Sequence, residues 1–117
     1  MESRSFLRMW AAGSVVSAVL QAVFPERTAR AASWRESRGW QREIALWNIA
    51  TVGLLLRAEN ADESTRLLLV RSLLLLNSAL GVNHLVAAIR SPRYPLHWLG
   101  ASMNGAAIAV GIRTIGD

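Results

Sequence analysis

The sequence predicts an all-α integral membrane protein, folded as an antiparallel bundle of four membrane-spanning helices. The 117 residues are 52% hydrophobic and have a positive mean hydropathy, which is too apolar for an ordinary soluble domain of this size. Four long apolar segments alternate with short polar connections. One of them, LLLVRSLLLLNSALGVNHLVAAI at residues 67–89, is long enough to cross a bilayer.

The four predicted spans follow one another within a single domain that covers residues 1–117. They are residues 5–24, 40–57, 67–89 and 95–113. Pro25 stops the first span, and Pro92 follows the third. The second span is short and needs its polar first turn to lie at the membrane boundary or against protein. Pro95 occupies a favourable first-turn position of the fourth.

Two of the connections carry structural signals of their own. The first, residues 25–42, is rich in Arg and contains Trp34 and Trp40, which is typical of an interfacial helix, although a solvated loop fits equally well. The second is acidic, and Asp62 or Ser64 can cap the third helix. We expect Ser64 to be the better placed of the two.

The distribution of arginine predicts the location and orientation of the bundle. All 13 basic residues are Arg, and the net charge is +5. We call the end of the bundle that holds the first and third connections end B, and the opposite end, which holds both termini, end A. Seven Arg lie in the end-B connections against five near end A. The positive-inside rule therefore predicts end B in the cytoplasm and both termini outside.

Several function classes are excluded by the same composition. Because the chain has no cysteine, it can form no disulfide, thiolate nucleophile or cysteine metal site. The Arg residues lie between apolar runs, where lipid headgroups meet them, so we predict no binding to nucleic acid. Two His and one Glu leave a metal ion or a haem as remote alternatives, but no H-E-x-x-H spacing occurs, so we predict no metal and no cofactor.

The unusual polar residues of the spans gather in the half of the bundle nearest end B. Within the third helix, Asn77, Gly81 and His84 share one face, and in the fourth His97, Gly100 or Ala101, and Asn104 do the same. Lipid does not accommodate such groups, so we expect these stripes to turn toward one another.

Glu43, His84 and His97 are the predicted catalytic residues. A carboxyl group in an apolar site and two imidazoles form a plausible acid/base set. The predicted ligand-binding residues, which would wall or orient the ligand, are Gln21, Trp47, Asn48, Asn83 and Asn104. Each residue also has a structural alternative, since the asparagines can join helices and Glu43 can pair with an Arg at the start of its helix.

One short stretch carries a family resemblance. Residues 39–44 read GWQREI, lead into an Asn-bearing span with Gly53, and resemble segments of uncharacterised bacterial four-span membrane proteins of the DoxX-like kind. The resemblance implies an inner-membrane bundle without a defined activity. The length is also similar to that of small multidrug-resistance transporters, but those carry a carboxylate in the first helix, and residues 5–24 contain none.

These observations predict an intramembrane polar pocket for a lipophilic small molecule, opening toward end B. Acid/base chemistry such as isomerisation, cyclisation or epoxide opening is one use of such a pocket. Two other classes stay open. The chain is alternatively an accessory structural subunit of a larger membrane complex, or a proton-coupled exporter acting as a dimer. The predicted partners are the lipid bilayer, a lipophilic ligand, and either a second copy or a larger complex.

Overall fold

The described part of the chain is helical throughout apart from its short connections. A computed structural model describes residues 2–116, and its helices are α1 (Ser3–Val23), α2 (Pro25–Arg30), α3 (Arg38–Ala58), α4 (Glu63–Arg90) and α5 (Pro95–Gly116). The all-α class is confirmed, and the four long helices coincide closely with the predicted spans. The first connection contains one short helix, α2, followed by a loop.

Two of the long helices satisfy a simple test for a membrane span. By length and composition alone, α1 and α4 are long and apolar enough to cross a bilayer. The other two fall short because charged residues in α3, such as Arg42 and Glu43, and polar residues in α5, such as Asn104, lower their hydropathy.

The start of α4 is capped by Asp62. Its carboxylate accepts a hydrogen bond from the backbone N–H of Thr65 at 2.8 Å. The prediction that Ser64 is the better-placed cap is wrong, because Ser64 lies inside the first turn and its hydroxyl donates to Asp62 instead. The bonds from Ser64 and Thr65 lower the pKa of Asp62 to about 2, since they stabilise its charged form.

The long helices pack as two pairs, α1 on α3 and α4 on α5, and α1 joins the pairs through smaller contacts with α4 and α5. Arg8 near the start of α1 meets Glu59 just after α3 at 2.8 Å, so that pair is antiparallel. Ser3 donates to Glu63 at 3.1 Å, so α1 and α4 run in parallel. Because α3 packs chiefly on α1, the molecule is flattened, with extents of 41 × 26 × 15 Å.

The apolar core occupies the half of the molecule nearest end A. Its buried members are Phe6, Leu7, Ala11, Leu55, Ala58, Val70 and Leu73. Gly111 brings α5 close to this core, because a Cβ at that position would collide with Leu74 and lie 3.0 Å from the ring of Phe6. Large apolar side chains also cover the outer surface, as at Leu75 and Trp47, and such a surface is typical of contact with lipid or a partner.

End A is closed by ion pairs. The buried guanidinium of Arg66 donates to the carboxylate of Glu63, to the hydroxyl of Ser3 at 3.1 Å and to the carbonyl of Ala61. The hydrogen bond from Arg8 lowers the pKa of Glu59 below its usual range. Charged groups therefore link the ends of α1, α3 and α4 at this side of the molecule.

Candidate functional site

The two histidines meet at end B. His84 lies near the end of α4 and His97 in the first turns of α5, and their Nδ1 atoms are 3.5 Å apart. His97 is fully buried and His84 half-buried. The connection between the helices is only residues 91–94, so the last turns of α4 necessarily lie beside the first turns of α5. The structure thus brings together two of the three predicted catalytic residues.

Glycine on the opposite helix makes room for two polar side chains of this seam, His84 and Asn104. The ring of His84 lies against Gly100, where a Cβ would be 2.7 Å from the ring atoms. Gly81 lies against Asn104 in the same way, with 3.2 Å between its ideal Cβ and the Asn104 Cβ. The stripes predicted from helical spacing therefore face each other across the α4–α5 seam.

The loop after α2 holds His97 in place. The backbone N–H of Ser33 donates to Nε2 of His97 at 2.9 Å, and the Ser33 hydroxyl lies 2.8 Å from the same atom. The N–H of Leu96 also donates to the carbonyl of Ala31 at 3.1 Å. A nitrogen that accepts a backbone N–H carries no proton, so His97 is neutral and bears its proton on Nδ1.

The hydrogen bonds of the cluster run in one direction. The Nδ1–H of His97 points to Nδ1 of His84, and the 3.5 Å separation makes this a long hydrogen bond. Because His84 accepts at Nδ1, its own proton lies on Nε2. That Nε2–H has no hydrogen-bond partner within residues 2–116. The chain of bonds from Ser33 through His97 therefore ends in one donor on a half-buried ring.

Aromatic rings surround the imidazoles. The ring centroid of Trp34 is 4.5 Å from that of His97 and 5.2 Å from that of His84. Tyr94 adds an edge contact at 6.4 Å from His97. Trp34 is 47% exposed and forms the outer wall of the cluster. The sequence indicated a membrane-interface position for Trp34 but gave no sign that its ring reaches the histidines.

Glu43 lies apart from the histidines. It lines an open groove of about 310 Å³ on the outer face of α3, together with Leu46, Trp47 and Ala50. Among residues 2–116 it makes no hydrogen bond or ion pair, and no contact of either histidine involves it. Since α3 packs chiefly on α1, a similar depth in the bundle does not bring Glu43 to the α4–α5 seam.

The remaining predicted ligand residues have separate environments. Asn48 donates to the Ser17 hydroxyl at 3.2 Å and to a carbonyl of its own helix, and so joins α3 to α1. Asn104 donates to the carbonyl of Gly100 at 2.7 Å. Asn83 is exposed on α4, and the half-buried Gln21 lies on α1. Two of these amides therefore serve the fold, and none contacts the imidazoles.

Comparison with known proteins gives no guide to the site, because no protein-family model, curated protein or solved structure matches the chain. Over residues 2–116 no three His, Asp or Glu side chains cluster closely enough to hold a metal ion. The geometry of the histidine cluster, defined as Ser33, Trp34, His84 and His97, is therefore the strongest pointer to a function.

Proposed function

We propose that the chain is a protein of the bacterial cytoplasmic membrane whose four long helices all span the bilayer, with end B in the cytoplasm. The length and apolar character of α1 and α4 support their crossing of a bilayer. In α3 and α5, polar residues such as Gln41 and His97 are buried, whereas the outer faces carry residues such as Ile49 and Met103. Those outer faces are compatible with lipid although the average hydropathy of the two helices is lower.

We further propose that the histidine cluster binds the polar end of a lipophilic small molecule. The observation that carries this proposal is the donor at Nε2 of His84, which is left free at the end of a hydrogen-bond chain that begins at Ser33. An N–H donor beside the partly exposed indole of Trp34 suits a carbonyl oxygen on an otherwise apolar ligand.

The arrangement favours binding and orientation over proton transfer. The Nδ1 lone pair of His84 already accepts from His97, and its Nε2 already holds a proton, so His84 cannot act as a base without breaking the contact between the two rings. Both ring nitrogens of His97 already take part in hydrogen bonds, Nε2 with Ser33 and Nδ1 with His84, so His97 is a positioning residue. Acid/base chemistry would require a further group, and Glu43 is not near enough to supply it.

Mass spectrometry of lipid extracts from the purified protein tests this proposal. We expect the wild-type chain, extracted in mild detergent, to retain a lipophilic molecule with a carbonyl or hydroxyl group. His84→Phe keeps a ring of similar size against Gly100 but removes the N–H, so it should lose the molecule. The matched control is Asn83→Ala at the neighbouring exposed position, which should retain it. Equal retention by both variants would exclude a role for the cluster in binding.

A second function, as an accessory subunit of a larger membrane complex, is favoured by the outer face of α3. Glu43 lies there without a partner among residues 2–116, beside Trp47, which is 74% exposed. A carboxylate on an apolar face is costly in lipid, and a neighbouring subunit would relieve that cost. We expect Trp47→Ala to release a stoichiometric partner that Trp34→Ala retains, as measured by size-exclusion chromatography in mild detergent. Monomeric wild-type protein would exclude this function.

A further inference from the structure

Four buried polar atoms have no hydrogen-bond partner within residues 2–116. They are Ser14 Oγ, Gln21 Oε1, Gln41 Oε1 and Asn77 Nδ2. Ser14 and Asn77 are each only 3% exposed. Buried polar atoms in native proteins are nearly always satisfied by protein or by ordered water. These four atoms therefore indicate where the fold needs a further polar partner.

Three of these atoms, on Ser14, Gln21 and Gln41, lie along the seam between α1 and α3. Ser14, Ser17 and Gln21 are spaced by three and four residues and so share a helical face. On the facing helix, Gln41 donates from its amide nitrogen to the carbonyl of Pro25 at 2.9 Å, which leaves its Oε1 unused. Asn48 reaches Ser17 farther along. The α1–α3 seam therefore carries polar side chains from Gln21 to Ser14, with the buried Ala18 and Ala45 among them.

The fourth atom lies level with Ser14 on a different helix. Ser3 at the start of α1 is hydrogen-bonded to Glu63 and Arg66 in the first turn of α4, which lie 60 and 63 positions later in the sequence. Both helices rise equally per residue, so Ser14 is level with residues 74–77. Asn77 is buried at this level, and α1 contacts α4. A second unpartnered group therefore lies at the depth of Ser14, near the middle of the molecule.

The apolar core begins where this polar row ends. Ala11 and Leu73, one turn closer to end A on α1 and α4, both belong to the core. Between that level and the ion pairs of end A, the buried side chains of the core are apolar and offer water no polar partner. The row can therefore be filled only from end B.

We propose that a row of water molecules enters at end B and follows this side of α1 as far as Ser14 and Asn77. Water can donate to the two glutamine oxygens and accept from the Asn77 amide, and it can do either with the Ser14 hydroxyl. The row is a hydrated site separate from the histidine cluster. The inference rests on the proposed membrane embedding, because only in a bilayer is water confined to such a path.

Single-cysteine labelling tests this row without prior engineering, because the chain contains no cysteine. Ser14→Cys and Ser17→Cys replace one oxygen by sulfur and preserve the helix. The controls are Val15→Cys and Val16→Cys, which lie at the same depths on the outer face, and Ala11→Cys in the core. The measurement is the rate of reaction with a small charged methanethiosulfonate reagent, added to either side of proteoliposomes.

Because a thiol ionises and meets the reagent only in water, both serine variants should react about tenfold faster than all three controls, from the end-B side. If the serine variants react as slowly as the three controls, the water row is excluded, while the slow reaction of the valine variants still supports the membrane embedding. Reaction at Ser17→Cys alone would also overturn it, since the row would then stop short of Asn77. Fast reaction of the valine variants would contradict the embedding and the row together.

Discussion

The two helix pairs handle their polar residues in opposite ways. In the α4–α5 pair, His84 and His97 face each other and glycine accommodates the side chain opposite. In the α1–α3 pair, Asn48 reaches Ser17, but Glu43 lies on the outer face and Ser14 has no partner within residues 2–116. The α4–α5 pair joins its two histidines directly and leaves one donor, Nε2 of His84, without a partner, whereas the α1–α3 pair leaves several polar groups without partners within residues 2–116.

The connections explain this difference. Residues 91–94 join α4 to α5 and are too few to allow the helices to rotate freely about their axes. Between α1 and α3 the chain instead inserts α2 and a loop, and this loop crosses to α5, where Ser33 binds His97. The long connection thus constrains α1 and α3 less than residues 91–94 constrain α4 and α5. It also supplies Ser33 to the histidine cluster.

The largest effect should come from filling the space that His84 occupies on α5. Gly100→Ala places a Cβ 2.7 Å from the imidazole, so the ring or the helix must move, and we expect a loss of about 1–3 kcal/mol in the free energy of unfolding. Gly105→Ala on the same helix meets nothing within 4 Å and should be stabilising by about 0.5–1 kcal/mol. Thermal unfolding in detergent measures both. Equal Tm values for the two variants would show that the His84 ring does not pack closely against Gly100.

The next effect concerns the bond between the loop and α5. His97→Phe removes the acceptor of the half-buried Ser33 N–H and should cost about 1–2 kcal/mol. Ser33→Ala keeps that N–H and loses only the hydroxyl contact, so its cost should be smaller, about 0.5–1 kcal/mol. Denaturant unfolding followed by circular dichroism compares them. If the alanine variant were the less stable one, the hydroxyl rather than the backbone would anchor His97.

The smallest effect lies at end A, where the two helix pairs meet through charged groups. The folded-state pKa of Asp62 is lowered from 3.8 to about 2, so its contribution to stability is complete above pH 3.8 and is lost as the pH falls through about 2. The protection factor of the Thr65 amide, which Asp62 caps, should therefore fall only in that window, after correction for the intrinsic pH dependence of exchange. Asp62→Asn keeps an acceptor without a titrating carboxylate and should flatten the dependence. A loss of protection already near pH 6 in the wild-type chain would exclude Asp62 as its cause.

Much of the fold follows from the sequence, because apolar runs and prolines define the long helices and their antiparallel order assigns each residue a depth. The spacing of Gly81, His84, His97 and Gly100 also predicts which faces of α4 and α5 meet. Depth alone does not determine how a helix is rotated about its axis. For this reason the sequence wrongly predicts that Glu43 lies beside the two histidines, which it does not contact. Ser33 escaped prediction because it lies outside any helix, where periodicity carries no signal.

Nitrogen-15 NMR of the histidine side chains tests the central claim most directly, namely that the two imidazoles form a neutral, directed hydrogen-bond chain. The protein has only two histidines, so selective labelling gives the signals of two rings, and the signals that disappear in His84→Phe belong to His84. At pH 7 we predict protonated Nδ1 and bare Nε2 in His97, and the opposite tautomer in His84. A proton on Nε2 of His97, or a doubly protonated ring, would contradict the account.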